Sequence, residues 1–141
     1  MNRNVPMLLA TLMVGLSALA CQVFGTGTSS GTSLENLRLA HDEFGLQETS
    51  TFSSSDVIYV TARLNNAPQG TLVKAVWTAI DVTDTEAGYE FQEQSFDVQD
   101  ESFSGTIFFK LSNGDLWPLG RYRVELYLNE TSIQSLEFSV E

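Results

Sequence analysis

"RYRVELYL", residues 121–128, decides the fold. Tyr122, Val124, Leu126 and Leu128 fall on one side of an extended chain, with Arg121, Arg123, Glu125 and Tyr127 on the other. Successive side chains leave a pleated backbone on opposite faces, so a period of two marks a half-buried antiparallel strand. The pattern recurs outward from there. Ile58, Val60, Ala62 and Leu64 alternate with Tyr59, Thr61 and Arg63; Val73, Ala75, Trp77 and Ala79 alternate with Lys74 and Thr78. Phe103, Gly105, Ile107, Phe109 and Leu111 form another set, and Leu136, Phe138 and Val140 a last one, opposed by Glu137 and Ser139. Leu37 to His41 and Tyr89 to Val98 are weaker strands. No long stretch after residue 36 has a helical period.

Turn chemistry separates these runs. Asn65-Asn66-Ala67-Pro68-Gln69-Gly70, Asn113-Gly114-Asp115, Trp117-Pro118-Leu119-Gly120 and Asn129-Glu130 are rich in the residues that reverse a chain, although Glu is a poor second residue for a two-residue hairpin. About seven short strands with turns between them predict an all-β antiparallel sandwich. Another sandwich, or a barrel, would carry the same alternation.

Trp77 on an inward face and Gly120-Arg121-Tyr122 at the opening of a late strand resemble landmarks of immunoglobulin-like and fibronectin type III-like sandwiches, over residues 37–141. The resemblance implies a core Trp at Trp77 and a tyrosine corner at Tyr122, its hydroxyl reaching a main-chain group near Asp115 to Trp117. Val124 stands where antibody domains have a cysteine, so no antibody-type disulfide is implied. In that strand order Tyr59 and Phe108 project outward from neighbouring strands with Val57 beside them, a candidate binding face. Val76, Ile80 and Tyr127 project outward from the other sheet.

The front of the chain differs in kind. Arg3 precedes an uncharged run from Val5 to Ala20 that ends in small residues, the make-up of a signal peptide. Such a run is too short to span a hydrocarbon core of about 30 Å comfortably. Ala18-Leu19-Ala20-Cys21 resembles the lipobox of bacterial lipoproteins. That resemblance implies removal of residues 1–20, acyl chains on Cys21 and a membrane anchor on the extracytoplasmic side of a bacterial envelope. An ordinary secretory signal with an incidental cysteine is the alternative. Residues 21–36, dominated after Cys21 by Gly, Ser and Thr, have the composition of a flexible tether.

Charge and motifs bound the function. Seven basic residues against eighteen acidic ones give a net charge of −11, which argues against a nucleic-acid partner. A single cysteine excludes an internal disulfide framework. The single histidine, His41, and the absence of a G-x-S-x-G elbow argue against an enzyme. Asp81, Asp84 and Glu86 lie in an acidic stretch without Lys or Arg and are candidate Ca²⁺ ligands, a solvated face being the plainer reading; no other cofactor is expected. Together these features predict a lipid-anchored, exported immunoglobulin-like binding module without catalytic activity, with a surface protein or polysaccharide as partner. A passive structural subunit of a cell-envelope assembly and a carbohydrate-binding accessory domain are the alternatives.

Overall fold

A computed structural model describes residues 31–141. The leader, Cys21 and most of the tether lie outside the described residues. From Ser33 onward the chain is all-β: β1 (Ser33–Ala40), β2 (Thr51–Phe52), β3 (Ile58–Pro68), β4 (Leu72–Val82), β5 (Tyr89–Asp97), β6 (Ser102–Leu111), β7 (Gly120–Leu128) and β8 (Thr131–Val140), with no helix among the described residues. Seven of these correspond to the runs of alternating polarity. The eighth, β2, is two residues long and pairs in parallel with β8, too short to leave a periodic signal. β1 takes in Ser33 to Asn36, which composition had assigned to the tether.

The strands form a three-stranded sheet, β1-β3-β6, and a five-stranded sheet, β2-β8-β7-β4-β5. The inward sets named from sequence meet between them. Val60, Leu64, Val73, Ala75, Trp77, Val124 and Leu126 are each fully buried. Burying each large apolar side chain contributes about 1.5–3 kcal/mol, so this layer supplies much of the drive to fold. Aromatic rings run through it, some edge to face and one pair stacked. Trp77 meets Phe138 at 6.0 Å, Phe138 stacks on Tyr122 at 5.3 Å, and Phe91 stands against Tyr122 at 5.8 Å.

One side chain bridges the open edge between the two sheets. The Trp77 indole donates to Gln94 Oε1 at 3.1 Å, and Gln94 Nε2 donates to the Lys110 carbonyl at 2.8 Å. The core donor is thereby satisfied, and β5 is joined to β6 across the layer.

The sandwich has two distinct ends. At the entry end the Thr32 hydroxyl donates to the Asn66 carbonyl, and the Asn129-Glu130 turn is tied to Leu72. At the opposite, loop end lie the connections 41–50, 53–57, 83–88 and 112–119. There Thr83 N–H donates to the Leu119 carbonyl and Trp117 N–H to the Ser54 carbonyl at 2.7 Å.

Candidate functional site

Charge is distributed unequally between the sheets. The five-stranded sheet carries Lys74, Arg121 and Arg123 against Asp81, Glu90, Glu93, Asp97, Glu125 and Glu137. The three-stranded sheet carries Arg38, Arg63 and Lys110 against Glu35 alone. In the first sheet the cations are paired: Lys74 with Glu130 at 3.3 Å and Glu93 at 3.9 Å, Arg121 with Asp81 at 3.9 Å, Arg123 with Glu137 at 3.1 Å. Arg38 approaches Glu48 at 4.0 Å. Among the described residues only Arg63 and Lys110 have no carboxylate within 4.0 Å, and both stand on the outer face of the three-stranded sheet.

The strand register puts aromatic rings between those cations. Tyr59 lies opposite Lys110, Thr61 opposite Phe108, and Arg63 opposite Thr106; on the other flank Arg38 faces Thr61. Tyr59 and Phe108, on the paired strands β3 and β6, meet edge to face at 5.9 Å. Phe108 keeps 45% of its surface exposed, whereas Val57 is half-buried and precedes the strand. The 41–50 loop covers the middle of this face. Gly45 adopts φ +70° directly over Thr61, where a Cβ would approach the hydroxyl to 2.7 Å, and Thr61 is only 3% exposed. Beside it Arg38, Phe44, Arg63 and Thr106 wall a hollow of about 190 Å³.

Asp42 holds that loop in place. Its carboxylate accepts the N–H groups of Gln47 at 2.7 Å, Phe44 at 3.0 Å and Leu46 at 3.1 Å. Desolvation alone would raise this carboxyl, but the surrounding N–H donors together hold it below the ordinary aspartate value. His41 places Nδ1 3.7 Å from Asp56 and packs its ring on Phe52 at 5.0 Å. Asp56 is likewise held below the usual carboxylate range, chiefly by the Ser53 backbone N–H it accepts.

The outward patch expected on the other sheet is largely covered. Val76 is only 7% exposed, flanked on neighbouring strands by Glu93 and Glu125, and the Lys74 ammonium lies 5.4 Å from the Tyr127 ring centre. Long charged side chains lay their alkyl stems over apolar neighbours, which alternation alone does not reveal. Asp81, Asp84 and Glu86 do not converge. Among the described residues no three His, Cys, Asp or Glu side chains gather to hold a metal ion. Asp81 faces Arg121 from the end of β4, and Asp84 sits at φ +57° in the following turn.

Trp77 and Tyr122 occupy the core positions expected of them. The Tyr122 hydroxyl donates to the Pro118 carbonyl at 2.6 Å, one residue beyond the predicted span, and burial pushes its pKa up.

Sequence reasoning missed a second feature, at the loop end. Tyr89, Phe91, Trp117 and Tyr122 line an apolar hollow of about 150 Å³. It adjoins a wider depression of about 660 Å³ edged by Asp84, Leu116 and Leu119. Trp117-Pro118-Leu119-Gly120 reads as a turn, with Leu116 just before it. Three large apolar residues at and just before that turn were the available signal, and Leu116 and Leu119 stay 66% and 53% exposed.

No protein family with a known sequence profile matches this chain, and no curated protein does. Among solved structures it is similar to the Pseudomonas fluorescens alkylpurine DNA glycosylase AlkC bound to DNA containing an abasic site analog. The TM-score is 0.50 at 16% identity, over 78% of this chain and 30% of that one. The likeness is one of fold, and this chain spans under a third of that protein's length. It corrects two expectations. The exclusion of nucleic acid rested on net charge alone, yet a similar fold occurs within a protein solved on DNA. The assignment as a lipid-anchored binding module without catalytic activity, facing a surface protein or polysaccharide, falls with it. A fold found inside a DNA-bound enzyme carries no argument for that role.

Proposed function

We propose that the sandwich binds a single strand of nucleic acid on the outer face of its three-stranded sheet. One observation carries this reading: Arg63 and Lys110, free of carboxylate partners among the described residues, flank the Tyr59–Phe108 ring pair on a face whose strands hold one acid. Single strands are held by cations that follow the phosphates and by rings on which bases stack, each stacked base contributing about 1–3 kcal/mol. Partner choice depends on where the charge lies. A chain of net −11 can present a local positive strip when its acids crowd the other sheet and the loops. The similarity to a DNA-bound protein makes DNA the first strand to test.

We also read the sandwich as immunoglobulin-like. Buried Trp77, the Tyr122 corner onto Pro118 and the pairing of β3 with β6 support that finer assignment.

The test is fluorescence anisotropy with a labelled oligothymidylate of about twenty nucleotides at low salt. A dissociation constant of roughly 1–100 µM is expected, with a log–log salt slope near about −2 for three phosphate contacts. Arg63→Glu with Lys110→Glu should abolish binding, and Phe108→Ser should weaken it roughly tenfold without lowering the melting temperature. No anisotropy change at low salt, or binding untouched by the double charge reversal, overturns the proposal.

A further inference from the structure

The aromatic hollow at the loop end shares no lining residue with the Arg63, Lys110, Tyr59 and Phe108 set of the sheet face. Four rings line it, those of Tyr89, Phe91, Trp117 and Tyr122. Phe91 packs edge to face on Tyr122 at 5.8 Å and tilts against Trp117 at 6.3 Å and 54°, and a hollow of about 150 Å³ remains beside these rings and Tyr89.

The polar atoms of two of those rings are already engaged. The Trp117 indole N–H donates to the Asp56 carbonyl at 3.0 Å and the Tyr122 hydroxyl to the Pro118 carbonyl at 2.6 Å. Neither polar atom is therefore free to hydrogen-bond a guest, and the most exposed π surface of the hollow is that of Tyr89. The only charged residue lining this hollow or the adjoining depression is Asp84, and no Lys or Arg lines either.

We infer that this hollow is a binding site for a quaternary ammonium group, the rings surrounding its methyl groups and Asp84 balancing its charge. Three physical requirements select this class. The guest must be apolar at its surface, because the lining offers few free hydrogen-bond partners. It must be cationic, because aromatic faces carry negative potential and the one charged side chain edging the adjoining depression is the Asp84 carboxylate. It must be compact, because the hollow holds only about 150 Å³. A primary ammonium such as a lysine head fails the first requirement, since its N–H donors would lose water without replacement. A neutral hydrocarbon of the same shape fails the second.

The experiment follows the Trp117 indole N–H by nuclear magnetic resonance in the full chain during titration. The two probes are choline and its uncharged isostere, in which carbon replaces the ammonium nitrogen. Choline is expected to shift that resonance saturably at millimolar concentration and to bind roughly five- to tenfold more tightly than the isostere. Asp84→Asn tests the charge with the fold intact, because asparagine accepts the left-handed backbone at φ +57°. Tyr89→Leu removes a π face from a residue already 56% exposed while keeping an apolar wall.

Each variant should cut choline affinity several-fold and leave the isostere unchanged. Equal binding of the two probes, choline affinity indifferent to both variants, or no shift with choline overturns the inference. Phosphatidylcholine vesicles separate the sources. Cosedimentation that choline competes away assigns the group to a lipid head, and choline binding without cosedimentation assigns it to a free solute.

Discussion

Gly120 opens β7 at the point where that strand passes closest to the end of β4. Its φ is +145°, a conformation that side chains other than hydrogen rarely adopt, and a Cβ there would press on the Asp81 carbonyl and lie 2.7 Å from Val82 Cα. Both obstacles are backbone, so no side chain can swing away to make room. Gly120→Ala is therefore expected to cost about 2–4 kcal/mol, from backbone strain and overpacking together. Gly114 is the control, because nothing lies within 4 Å of its missing Cβ. Gly114→Ala should stay within about 0.5 kcal/mol of the parent. Urea denaturation of the two variants measures the contrast, and equal midpoints would show that the β4–β7 crossing yields more easily than its geometry implies.

Two connections carry the element-scale argument. The β7–β8 turn is two residues long, and both Asn129 (φ +47°) and Glu130 (φ +66°) are left-handed, as a type I′ hairpin demands. Asn suits that backbone and Glu does not, although Glu130 gains an exposed pairing with Lys74 at 3.3 Å. Such a pair contributes about 0–1 kcal/mol, while a residue freed from a strained left-handed position recovers about 1 kcal/mol or somewhat more. Glu130→Gly should therefore be neutral to mildly stabilising, and a clear loss in thermal melts would mean the ion pair dominates.

The 41–50 loop depends on a titrating group instead. The folded-state pKa of Asp42 is depressed, so its contribution is present above the unfolded value of about 3.9 and is lost as pH falls through the folded value. Between pH 6 and strongly acidic solution the parent should lose more melting temperature than Asp42→Asn, with proteolytic cutting near Phe44 rising in step. Parallel pH curves would place the stabilising charge elsewhere, Asp56 and Glu125 being the other depressed carboxyls. Strands were legible in the sequence because alternation is local and burial follows it. Bulges were not: β3 breaks register between Leu64 and Ala67, and β5 bulges at Phe91, the residue that turns into the aromatic hollow. A bulge is settled by the partner strand, and the partner is far away in sequence.

For the whole molecule the governing quantity is the arrangement of eighteen acids and seven bases. Composition exposed the imbalance, but only the sheet topology exposed its segregation, because Arg38, Arg63 and Lys110 are scattered along the chain and meet through the β1-β3-β6 order. Two consequences of salt then run in opposite directions. The folded chain repels itself at net −11, and raising salt from about 10 mM to about 100 mM shortens the screening length from about 30 Å to about 10 Å. The exposed ion pairs lose little over that range, since each contributes about 0–1 kcal/mol at the outset. The melting temperature should therefore rise, by roughly 3 °C if the relief is about 0.5 kcal/mol. Strand binding on the three-stranded face should fall about a hundredfold over the same tenfold change in salt, because each phosphate contact releases condensed counterions. Both quantities can be followed in a single buffer series. A melting temperature that drops with salt would mean that attraction between the sheets' charges outweighs their repulsion. Binding that ignores salt would mean that ring stacking alone holds the strand and that the cations of this face are idle.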